Sequence, residues 1–160
     1  MSYWVGATGM VLRTNVSPLG IVSLELAGTP AVAQQIYAAW GDTGREAARF
    51  NIRIDFLYLV AYGVALSLGC AVAGVWWQRR SAPLARLGVW LAWGMLVAAG
   101  SDACENGAML RGLSDPTNAL WPAVARICAI AKFTLLLAGV LYIMTGAFSR
   151  IGRRRLVRAA

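Results

Sequence analysis

Residues 56–78 read FLYLVAYGVALSLGCAVAGVWWQ, 23 positions without a charge between Asp55 and Arg79. A hydrocarbon core of about 30 Å needs about 20 helical residues at about 1.5 Å each, so this stretch alone crosses a bilayer. It sets the reading of its surroundings. The next apolar run starts at Leu87, has 15 uncharged residues before Asp102, and covers only about 22 Å as a helix. To span, it has to carry Asp102 and then Glu105 into the membrane boundary. A third run, 133–149, has 17 uncharged residues and is extended backwards by ICAIA before Lys132. The chain of 160 residues leaves room for one domain, and its 59% apolar content, 14% charge and mean hydropathy of +0.59 lie far from the soluble average.

The expected fold is therefore all-α: an integral membrane antiparallel bundle of three to four transmembrane helices with one amphipathic surface helix. The chain reads as a single transmembrane domain over 1–160. Membrane helices are expected over 54–77, 84–106 and 122–148, with a basic tail over 149–160. The fourth span depends on the N-terminus. MSYWVGATGMVL is only 12 residues long before Arg13 and has neither the basic leader nor the cleavage site of a signal peptide. Reading on to Leu24 puts Arg13 and Pro18 at mid-depth, so 1–26 is expected to form a short or irregular first membrane segment.

Charge fixes the threading. The loop after the first span carries Arg79, Arg80 and Arg86, and the tail carries Arg150, Arg153, Arg154, Arg155 and Arg158, eight bases without an acid. With three spans these segments share a side, expected to be the cytoplasmic face of a bacterial inner membrane, with the C-terminus inside. Arg79, Arg80 and Arg153–Arg155 are the expected contacts to anionic lipid, each worth about 1 kcal/mol. The tail lacks the interleaved aromatics of a nucleic-acid patch, so no nucleic acid is expected. All seven acids and the other seven bases fall on the opposite face, so the net charge of +8 lies inside.

Between these parts lies GTPAVAQQIYAAWGDTGREAARFNIR. Thr29 before Pro30 starts a helix, and Val32, Ile36 and Trp40 recur on one face. Gly41 should end it, giving an amphipathic outer helix over 30–40. Thr43 with Glu46 resembles a capping box opening the next helix, which should run unbroken from Gly44 through Trp77. Trp40 and Trp121 are expected in an outer aromatic belt, and Trp76 and Trp77 in an inner one.

The polar cluster GSDACENGAMLRG, 100–112, admits two readings: the wetted end of a span, or a polar layer inside the outer leaflet. Asp102, Glu105 and Asn106 stand at i, i+3 and i+4 and share one helix face. Ionisable groups at that depth normally face a bundle interior and pair. Asp102 or Glu105 with Lys132, and Asp55 with Arg53 or Arg111, are the expected pairs. Glu25, Asp55, Asp102, Glu105, Asn106, Arg111 and Lys132 thus make the candidate polar cluster, and the layer is the reading adopted.

Enzymatic chemistry finds little footing. With no histidine, histidine bases, haem ligation by histidine and typical zinc sites are excluded, and no loop has calcium-site spacing. No metal, cofactor or catalytic residue is expected. Cys70, Cys104 and Cys128 form no CxxC. A Cys104–Cys128 disulfide at the oxidising face is compatible with the threading, but burial as small apolar residues is the preferred expectation.

The segments SPLGIVSLELAGTP (17–30), Trp40–Gly41, DFLYLVAYG (55–63) and DACENGAMLRG (102–112) resemble those of a group of small bacterial multipass integral membrane proteins of unassigned function. The likeness rests on short motifs spread over most of the chain and implies a membrane bundle without an activity, ligand or catalytic residue. In that group an ordinary first span precedes the SPLGIVSLELAG segment. The expected function is a non-enzymatic polar pocket in the outer leaflet that binds a lipid head group or small ligand. Alternatives are an accessory subunit of a larger membrane complex, meeting a membrane-protein partner or a second copy of itself, and a lipid-modifying enzyme using the Asp102 and Glu105 carboxylates.

Overall fold

Thr29 opens the longest helix by local chemistry: its Oγ1 accepts a hydrogen bond from the Val32 N–H at 3.4 Å, and Pro30, which has no N–H to satisfy, takes the first helical position. In the computed structural model, which describes residues 9–78 and 80–159 with side chains to 150, four helices follow in order. They are α1 (Ile21–Glu25), α2 (Pro30–Trp77), α3 (Ala82–Ser114) and α4 (Leu120–Ala159). Ser81 caps α3 through the Leu84 N–H at 3.4 Å, and Asn118 Oδ1 accepts from the Leu120 N–H at 3.0 Å to start α4. No strand occurs among the described residues.

The helices overlap the expected helical segments, with different limits. Helix α2 joins the 30–40 and 54–77 segments, and its one break is Gly41, at φ 58° and ψ −166°, a conformation that favours glycine. Arg45 Nε donates to the Tyr37 carbonyl at 3.2 Å and so bridges the break. Glu46 does not close a capping box; it turns to Arg49, 3.4 Å away. Helix α3 continues past 106 to Ser114, and α4 continues through the basic tail to Ala159. Arg79, and the side chains of Arg153, Arg154 and Arg155, lie outside the described residues. Within 1–26, the described part is the irregular alternative: a short helical turn at 9–11, a chain of turns, and the five-residue α1.

The helices α2, α3 and α4 are long and apolar enough to cross a membrane, with mean hydropathies of 2.0, 1.4 and 2.2 over their most apolar windows. Only 22%, 28% and 22% of those windows is buried within the protein. Side chains such as Leu57, Trp90, Val97, Ile127 and Leu137 remain exposed, which an aqueous surface tolerates poorly and a lipid environment accepts. This is a membrane protein built on three spanning helices.

The chain divides into two units. The first takes the described residues up to Leu59 together with Ser101–Ala131. Its core gathers Leu12 and Leu24 from the N-terminal segment, Ile36, Tyr37, Trp40 and Ile52 from α2, and Met109 and Leu113 from α3. The amphipathic helix over 30–40 buries Ala33, Ile36, Tyr37 and Trp40, whereas Val32 stays exposed. Its apolar face is therefore covered by protein. Trp40 is not a belt residue: its indole N–H donates to the Leu12 carbonyl at 2.8 Å and to Ser17 Oγ at 2.9 Å, and it is only 5% exposed. An indole with two internal acceptors has no need of the interface. Trp121 is half-buried and also packs on this core.

The second unit takes Val60–Gly100 and the chain from Lys132 onward. Small residues let its helices approach closely, as packing in lipid favours. Gly63 faces Ala99 and Gly74 faces Gly88, so equal steps run in opposite directions along α2 and α3, which are antiparallel here. Tyr142 of α4 donates to the Leu84 carbonyl at 2.8 Å, and Cys70, Ala73, Met95 and Tyr142 form the buried centre.

Candidate functional site

The first unit contains a cavity of about 530 Å³, and every residue lining it belongs to that unit. Three pieces of chain build it. The N-terminal segment supplies Met10, Leu12, Arg13, Leu19, Ile21 and Glu25; α2 supplies Asn51, Ile52, Ile54, Asp55 and Tyr58; α3 supplies Asn106 and Met109. The N-terminal segment holds its shape through Ser17, whose Oγ donates to the Leu12 carbonyl at 2.7 Å and exchanges a 2.8 Å hydrogen bond with Thr14 Oγ1. Trp40 then ties this knot to α2. Arg49 fixes α2 against the end of α3 by donating to the Leu113 carbonyl at 3.1 Å, where a cation suits the exposed carbonyls of a helix C-terminus.

Polar groups converge at the cavity. Asn106 Nδ2 donates to Asp55 Oδ2 at 2.9 Å, which fixes the amide and the carboxylate relative to one another. Glu25 is buried beside them in the lining, at 7% exposure. Leu12, Ile52 and Met109 are deeply buried walls, while Met10, Leu19, Arg13 and Tyr58 are exposed and form the rim.

The structure brings together three members of the expected cluster, Glu25, Asp55 and Asn106, in this lining. Asp102 and Glu105 are buried on α3, with Glu105 wholly inaccessible, so these two carboxylates are covered by protein. Lys132 is also buried, its ammonium 4.8 Å from the centre of the Phe133 ring, and belongs to the second unit. Arg111 and Arg53 are exposed. Asn106 on α3 is one partner of Asp55, a contact the expected pairings did not include. Cys104 and Cys128 are not joined in a disulfide; the first is exposed, against the expected burial, and the second is half-buried. Among the described residues no group of three or more Asp, Glu or Cys side chains has metal-binding geometry.

Arg13, Asn51 and Tyr58 were not among the expected site residues. Asn51 and Tyr58 flank Asp55 at i−4 and i+3, a spacing that places all three on one helix face. Arg13 carries no such signal, because only the return of the N-terminal segment brings it to the cavity. No family model, curated protein or solved structure matches the chain.

Proposed function

We propose that this is a small bacterial inner-membrane protein, akin to the multipass group its motifs resemble, whose cavity lies at outer-leaflet depth and holds the polar end of a lipid or a similarly built small ligand without transforming it. The observation that carries the reading is the cavity itself. About 530 Å³ falls within the range of about 300–1,000 Å³ typical of small-molecule sites, and its make-up, apolar walls with a few convergent polar groups, is the usual one. The threading supports the depth: eight bases without acids on one face leave the cavity's acids on the other. The same bases provide for association with anionic lipid on the cytoplasmic side.

The test is native mass spectrometry of protein released from mild detergent. Wild-type protein should carry a bound mass beyond the detergent background. Ile54→Trp, which fills the cavity from its half-buried wall, should lose it while keeping its unfolding temperature. Equal retention by the two proteins would place the bound molecule elsewhere and overturn the reading.

A further inference from the structure

Resting on that reading, we infer that the ligand is a phospholipid whose head group ends in a primary ammonium. The order of chemistry along the cavity carries this. Its inner part has two carboxylates, Glu25, which is buried, and Asp55, which is half-buried, and Asn106 holds the Asp55 oxygen in place at 2.9 Å. Among the described lining residues the one base is Arg13, exposed at the rim, as are Met10, 71% exposed, and Leu19, 61% exposed. The sequence from the interior outward is therefore acid, base, apolar surface. An ethanolamine-type phospholipid has the complementary order: ammonium, phosphate, acyl chains.

Each match has a physical reason. A cation entering a partly desolvated site lined by carboxylates gains more than it would in water, and an anion there meets like charge. A primary ammonium brings three N–H donors to these acceptors, whereas a trimethylammonium brings none. The Arg13 guanidinium is shaped to take a phosphate through two parallel hydrogen bonds. Apolar side chains at the rim let the acyl chains leave along a surface that already meets lipid, so only the head need be enclosed.

The experiment reconstitutes the full chain in bilayers with equal parts of phosphatidylethanolamine, phosphatidylcholine and phosphatidylglycerol, then counts retained lipids by native mass spectrometry. Phosphatidylethanolamine should exceed each of the others by about tenfold, the ratio that one charge-assisted hydrogen bond of roughly 1.4 kcal/mol supports. Asp55→Asn, which keeps the side chain's shape, should lose most of that preference. Arg13→Gln should lower total retention without reversing the preference. Soluble glycerophosphoethanolamine should fail to displace the lipid at equal concentration; displacement would make a free amine the ligand and overturn the lipid assignment.

Retention in the bilayer ratio, or preference for phosphatidylglycerol, overturns the ammonium class. If Ile54→Trp still abolishes that retention, the cavity reading survives; if Ile54→Trp changes nothing, both fall. Should Asp55→Asn fail to fold, the wild-type selectivity alone decides.

Discussion

Replacing Trp40 by phenylalanine tests how the cavity wall is held. The change keeps most of the buried ring but removes the N–H that reaches the Leu12 carbonyl at 2.8 Å and Ser17 Oγ at 2.9 Å. An acceptor stranded in a buried site costs about 1–3 kcal/mol. Here the Leu12 carbonyl keeps its 2.7 Å bond from Ser17, so the lower part of that range, about 1–2 kcal/mol, is expected. Truncation to alanine would add the loss of the ring, for about 3–5 kcal/mol in all. The loss should fall on the N-terminal segment, because that segment is what the indole tethers. Hydrogen exchange in mild detergent should then speed up about 5–30-fold for the amides of 12–20, with little change in 60–77. Ser17→Ala disturbs the same carbonyl, so the double variant should lose less than the sum of the singles by at least about 0.5 kcal/mol. Unchanged exchange over 12–20, or strict additivity, would show that Trp40 is merely packed and that something else holds the wall.

Further outcomes follow from other contacts. At Gly88 an added methyl would lie 2.8 Å from the Gly74 Cα and 3.0 Å from the Cys70 carbonyl oxygen; Gly88→Ala should cost about 1–3 kcal/mol in detergent unfolding, while Gly100→Ala, with open space around it, should be neutral or stabilising. Arg49→Met removes the donors to Leu113 and Ser114 and should lower stability by about 1–2 kcal/mol by the same assay. A reporter active only in the periplasm, fused after Ala160, should be silent; strong activity would reverse the threading. Exchanging Arg153, Arg154 and Arg155 for glutamine should weaken binding to anionic vesicles while leaving the unfolding temperature unchanged.

What the sequence determined by itself was whatever depends on neighbouring residues. Hydropathy over 20 positions specifies a spanning helix because the bilayer acts on length and apolarity alone. Helix limits at Thr29 and the break at Gly41 were legible because capping and positive φ are properties of a few adjacent atoms. The shared face of Asp102, Glu105 and Asn106 was legible from the helical repeat. The tertiary structure decided the rest. Asp55 meets Asn106 across 51 positions, and Trp40 meets Leu12 across 28, separations over which no periodicity speaks. Trp40 reads as a belt residue by type and becomes a core residue because the returning N-terminal segment offers its N–H two acceptors. Arg13 reads as an obstacle to a span and becomes part of a cavity rim for the same reason. Local pattern selects which segments are helical and which face is apolar; the path of the chain between them selects which polar groups meet.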